Sequence, residues 1–147
     1  MRPHILIVDD EKDFVDALAE RLTIREYNAA ASYSGQDALE KIKEHNYDIV
    51  ILDVKMPGVS GIDVLKEIKS LKPLIEVIML TGNATVETAI EGMKLGAFDY
   101  LMKPCETDDL TEKIDKAYRK KAEHEERIRE ARIKEIISSP RSAFHKS

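Results

Sequence analysis

Ile5-Leu6-Ile7-Val8-Asp9-Asp10 is an apolar run ended by two carboxylates, and Ile49-Val50-Ile51-Leu52-Asp53 repeats the arrangement further along the chain. Four consecutive apolar residues leave no face for solvent, so each run predicts a strand covered on both sides. Val77-Ile78-Met79-Leu80 followed by Thr81, and Phe98 to Met102 followed by Lys103-Pro104, extend the series. A weaker run, Asn28-Ala29-Ala30-Ala31, lies between the first two and predicts an edge strand. Amphipathic stretches alternate with the runs. Phe14, Leu18 and Leu22 make one helical face, and Ala38, Leu39 and Ile42 make a second between Ser34 and His45. Ile62, Leu65 and Ile68 make a third that must stop before Pro73. Val86, Ala89, Ile90 and Met93 make a fourth, closed by Gly96 as a left-handed cap, and Leu110, Ile114 and Ala117 open the last. Five strand–helix units of this kind predict an α/β, doubly wound parallel sheet with helices on both faces and right-handed crossovers.

The chain has 147 residues, one core's worth, with 43% hydrophobic residues. A single cysteine, Cys105, excludes a disulfide framework and suits a reducing compartment. No secretory leader is visible and the apolar runs are far shorter than the ~20 residues of a membrane span, so a cytoplasmic location is expected. Residues 1–118 carry 14 Lys+Arg against 23 Asp+Glu, a net of −9, while residues 119–147 carry 9 against 5, a net of +4. The acidic body repels phosphates, and no direct nucleic-acid binding is expected of it.

The chemistry lies where the runs stop. In an open parallel sheet, ligands bind outside the carboxyl ends of the strands, near the point where strand order reverses. Four runs deliver Asp9, Asp10 and Asp53, the Thr81 hydroxyl and the Lys103 ammonium to that one rim. Any one of these reads as a turn or cap residue; their coincidence does not. Three carboxylates that converge must protonate or share a cation, and hard oxygen donors favour Mg²⁺, with Mn²⁺ as a substitute. A cation, an ammonium and a hydroxyl around one carboxylate suit phosphoryl transfer to that carboxylate, giving an acyl phosphate.

Val8-Asp9-Asp10-Glu11, Asp53-Val54-Lys55-Met56-Pro57 with Gly61, Thr81-Gly82 and Lys103-Pro104 together resemble the response-regulator receiver domains of two-component signalling. The likeness runs from residue 4 to about 118. It implies a flavodoxin-like sheet of order 2-1-3-4-5 and phosphorylation by a sensor histidine kinase. It implies Asp53 as phosphoacceptor, Asp10 as a direct Mg²⁺ ligand, Asp9 holding the metal through water, and the Lys55 backbone carbonyl as a further ligand. Lys103 would pair with the acceptor and then with the phosphoryl group, while Thr81 and Tyr100 would move together as the switch. Lys55 and Asn83 resemble positions that tune dephosphorylation. Tyr100 also reads simply as a half-buried strand aromatic.

Beyond the receiver, residues 119–137 read as a charged helical extension and 138–147 as a disordered tail. Of residues 119–135, 12 of 17 are charged, with opposite-charge pairs at i,i+4 such as Lys121/Glu125 and Glu125/Arg129. The extension leaves no room for an effector, so output through an unidentified downstream protein is expected. A homodimer through the fourth helix, fifth strand and last helix is expected as well. A receiver followed by a charged helix also resembles the start of AAA+ transcriptional activators, of which this would be a fragment. The rival class is a metal-dependent phosphatase working through an aspartyl-phosphate, which would need Asp-x-Asp where this chain has Asp53-Val54-Lys55. Otherwise the protein is no enzyme beyond its own phosphorylation and dephosphorylation.

Overall fold

The computed structural model describes residues 2–82 and 85–138. Five parallel strands, β1 (His4–Val8), β2 (Asn28–Ser32), β3 (Ile49–Leu52), β4 (Glu76–Thr81) and β5 (Asp99–Met102), form one sheet in the order β2-β1-β3-β4-β5. The helices are α1 (Lys12–Ile24), α2 (Gly35–Glu44), α3 (Gly61–Leu71), α4 (Val86–Lys94) and α5 (Thr107–Ser138). Strand burial accounts for the order. β1, β3 and β4 are apolar through their interiors and take the centre, whereas alanine-built β2 and the half-buried β5 take the edges.

Alternate side chains of the central strands divide the core into two layers. Ile5, Ile7, Ile49, Ile51, Ile78 and Leu80 pack against α1 and α5; Leu6, Val8, Val50, Leu52, Val77 and Met79 pack against α2 and α3. The buried face of α1 is Val15, Leu18 and Leu22. Phe14 sits at its margin, half-buried, rather than on the seam that four-residue spacing predicts. Gly96, at φ +102°, ends α4 as expected: its N–H donates to the Met93 carbonyl (3.2 Å) and that of Ala97 to the Gly92 carbonyl (3.0 Å).

α5 continues without a break past the body and holds Ser138 in its last turn, one residue beyond the expected end. The rest of the expected tail, from residue 139, lies outside the described residues, as does Asn83. Only Leu110, Ile114 and Ala117 of α5 are buried. The next turn is tied to the amino-terminal end of the sheet by ions: Lys120 reaches buried Glu76 at 3.3 Å, and Lys121 reaches Asp48 at 3.0 Å. Lys121 also pairs with Glu125 (3.2 Å) as the spacing predicts, whereas Arg129 pairs with Glu126 (2.8 Å), one residue away from the expected Glu125. Among the described residues no helix is long and apolar enough to cross a membrane.

Candidate functional site

The strand order reverses beside β1, and the loops leaving β1, β3, β4 and β5 at their carboxyl ends meet over that point. Asp9 and Asp10 follow β1, and Asp53 follows β3 directly. One oxygen from each of the three lies within 4.8 Å of the others. Asp9 and Asp53 are buried and Asp10 is exposed, so the trio forms a cup open on one side. Backbone N–H groups hold the inner two. That of Glu11 donates to Asp9 Oδ1 (3.0 Å), and that of Lys55 donates to Asp53 Oδ1 (3.3 Å).

Gly61 makes the β3–α3 loop close. Its N–H donates to the Val54 carbonyl at 2.8 Å. A Cβ at this residue would stand 2.2 Å from the Asp53 backbone oxygen and 2.6 Å from Val54 Cα. The first residue of α3 therefore rests directly on the backbone that carries the acceptor.

Lys103, just beyond β5, aims its ammonium into the cup. Nζ donates to Asp9 Oδ2 at 2.5 Å and to Glu11 Oε1 at 3.0 Å, and stands 3.9 Å from Asp53 Oδ2. It also lies 4.3 Å from the centroid of the Phe14 ring. Burial pushes the ammonium's pKa down, but the bonds to Asp9 and Glu11 outweigh this and raise it above the ordinary lysine value. For Asp53 burial wins. It holds the carboxyl above the ordinary aspartate range with help from the neighbouring Asp9, against a hydrogen bond from Thr81, the Lys103 charge and the Lys55 N–H.

The structure brings Asp9, Asp10, Asp53, Thr81 and Lys103 together at one rim, with Thr81, the last residue of β4, buried there. Lys55 is present through its N–H, its side chain being exposed. Tyr100, on β5, is half-buried away from the cup, beside Val86, Ala89, Ile90 and Met93 of α4. Sequence reasoning gave no role to Glu11 or Phe14, although both touch the Lys103 ammonium. Glu11 was legible only as a third acid beside the pair. Phe14 carried no signal beyond its place in a helical stripe.

A raised pKa on a buried acid weakens the ionised fold. The folded state binds the Asp53 proton more tightly than the unfolded chain, so this group's contribution to stability falls as pH rises from the ordinary 3.8 through the shifted value. In the absence of divalent ions Asp53→Asn is expected to melt higher than the wild type at neutral pH. The gap should close on acidification, and thermal melts across pH check it.

Three carboxylates, with Glu11 beside them, face one ammonium. The donor set is all oxygen and short of positive charge, which fits a hard divalent cation. A buried carboxylate set between acids, an ammonium and a hydroxyl at a sheet's switch point is what a protein needs to accept a phosphoryl group, and the fold and site together define a receiver module. The chain belongs to the response regulator receiver domain family, which it matches over residues 5–115. It is 45% identical over 113 residues to the transcriptional regulatory protein ZraR of Salmonella typhimurium, covering 77% of this chain and 26% of that protein. It thus spans about a quarter of that relative's length. The CheY-like receiver of Methanospirillum hungatei superposes with a TM-score of 0.81 at 29% identity, covering 84% of this chain and 99% of that one. NtrX from Brucella abortus in complex with ADP superposes with a TM-score of 0.81 at 30% identity, covering 86% of this chain and 29% of NtrX. The chain is thus a receiver domain of two-component response regulators.

Proposed function

We propose that Asp53 is the phosphoacceptor, with a sensor histidine kinase as donor. The observation that carries this reading is the converging trio Asp9, Asp10 and Asp53 with Lys103 directed into it. A carboxylate oxygen of Asp53 attacks the phosphorus of a phosphohistidine. The P–N bond breaks as the P–O bond forms, and the imidazole leaves with its electron pair and takes a proton from solvent. Asp9, Asp10, Asp53 and the Lys55 carbonyl would hold Mg²⁺, or Mn²⁺ in its place, which when bound supplies positive charge to the phosphoryl oxygens. Lys103 supplies a fixed cation, and Lys55, two residues after the acceptor, and Asn83, two residues after Thr81 in sequence, would tune hydrolysis. Dephosphorylation returns the site to rest, the only turnover we assign to the chain. Intact-mass measurement after exposure to a small acyl phosphate with Mg²⁺ tests the reading, one added phosphoryl group being the expected result.

The added group brings about −1.5 to −2 charge and three acceptor oxygens, enough to reorient a neighbouring hydroxyl. Thr81 is that hydroxyl, and Tyr100 on the adjacent strand follows it as the second half of the switch. Thr81→Ala is expected to accept the phosphoryl group yet to show a smaller chemical-shift response along α4, β5 and α5. A full wild-type response in the NMR spectrum would break the proposed coupling.

Output runs through that face. Val86, Ile90 and Met93 are 74%, 50% and 45% exposed, and with Ala89 and Tyr100 they line a shallow groove of about 550 Å³. Large apolar side chains so placed favour a protein partner, which we take to be a second copy of the chain. Residues 1–118 act as the receiver and 119–137 as the connecting helix, whose Ile133, Ile136 and Ile137 are exposed. The likeness to the transcriptional regulatory protein ZraR, of which the chain spans about a quarter, supports a place within a longer transcriptional regulator, which we take to be cytoplasmic. The body's charge speaks against nucleic acid as its direct partner. Truncation after Tyr118 is expected to lower association on phosphorylation, read by light scattering; an unchanged mass would leave the extension as a plain linker.

A further inference from the structure

The Lys103 ammonium is fully engaged before any phosphoryl group arrives. An ammonium has three donors. Here Asp9 Oδ2 takes one at 2.5 Å and Glu11 Oε1 another at 3.0 Å. The Phe14 ring, 4.3 Å away, covers a further side with its negative face. Asp53 Oδ2, at 3.9 Å, is beyond hydrogen-bond reach of the same nitrogen.

We propose that Glu11, assisted by Phe14, is a positioning residue that parks Lys103 away from Asp53 in the resting state and so sets how readily the phosphorylated state is populated. The inference rests on Asp53 being the phosphoacceptor. To reach a phosphoryl oxygen, Lys103 must give up a partner, and the two carboxylates differ in what release costs them. The Asp9 side chain is 2% exposed and would be left buried with less counter-charge, whereas that of Glu11 is 65% exposed and is taken up by water. The Glu11 bond is therefore the one that breaks. A contact made only at rest opposes phosphorylation by its own free energy, and for an exposed ion pair that corresponds to about a two- to five-fold bias.

Glu11→Gln keeps the shape and removes the charge. Glu11→Asp keeps the charge on a side chain too short to reach the ammonium. Phe14→Leu keeps apolar bulk without the aromatic face. Asp13→Asn, on an exposed residue of the first turn of α1, repeats the charge change without touching Lys103. At a fixed, subsaturating concentration of small acyl phosphate with Mg²⁺, both Glu11 variants and Phe14→Leu should raise the phosphorylated-to-unphosphorylated ratio about two- to five-fold. Asp13→Asn should not. A second readout needs neither metal nor phosphate: the ¹⁵N resonance of Lys103 Nζ in the resting protein should shift in both Glu11 variants and stay put in Asp13→Asn. An unmoved resonance in Glu11→Gln overturns the parking contact. Wild-type ratios in both Glu11 variants, or a change in Glu11→Gln alone, overturn its functional part, the latter assigning the effect to site charge. A wild type that gains no phosphoryl group at Asp53 overturns the phosphoacceptor reading instead, and the resonance still decides whether Glu11 holds the ammonium.

Discussion

Asp53→Asn is expected to take no phosphoryl group from a small acyl phosphate under conditions where the wild type takes one. Three carboxylates meet, and Asp53 is the inner one that faces both the Lys103 charge, at 3.9 Å, and a hydrogen bond from Thr81. Asp9 is already bound by Lys103 and by the Glu11 N–H, and Asp10 is exposed at the lip. An amide at residue 53 preserves the volume and removes the nucleophile. Chelation of divalent ions should slow modification of the wild type by about 100-fold or more, the scale of removing one preorganised charge from a phosphoryl-transfer site. Asp10→Asn should weaken the metal requirement's apparent affinity while keeping Asp53 as the modified residue. Intact mass followed by peptide mapping reads all three. Modification that persists in Asp53→Asn, or that ignores chelation, would falsify the assignment.

The largest expected effect on folding comes from a residue with no side chain. Gly61→Ala places a Cβ 2.2 Å from the Asp53 carbonyl oxygen and 2.6 Å from Val54 Cα, both backbone atoms that no rotamer change can move aside. Either α3 lifts from the end of β3 or the loop carrying Asp53 shifts. We expect a loss of about 3 kcal/mol, read from the urea midpoint, with slower phosphorylation in the folded fraction because the acceptor's own backbone has moved. Gly58 in the same loop is the control. It sits at φ +82° with open space around its would-be Cβ, so Gly58→Ala should cost only about 1 kcal/mol of left-handed strain and leave the site intact. Equal costs for the two would mean that the approach at Gly61 yields easily, and the tie between α3 and Asp53 would be lost.

The conditions for the site and for the fold overlap in this small loop, which is why much of both could be read from the chain. Apolar runs set the strands, because four buried residues in a row admit little else. The polar residue ending each run set the functional rim, because a parallel sheet turns all its strand ends the same way. The alanines of β2 marked an edge, since small side chains cannot fill a position buried on both sides. What proximity in sequence could not convey was partnership across the sheet. Lys103 and Glu11 lie 92 residues apart, and only the β1–β3–β4–β5 arrangement brings their charges to 3.0 Å. Phe14 stands at the margin of the predicted helical seam with its ring beside the Lys103 ammonium, a neighbour from the far end of the chain that periodicity along one helix does not contain. The bottom of the domain shows the same division. A charged helix past Tyr118 was evident from composition alone. That Lys120 and Lys121 would anchor it through Glu76 and Asp48 depended on where α5 crosses the ends of β3 and β4, a distance in space that the linear order of residues does not contain.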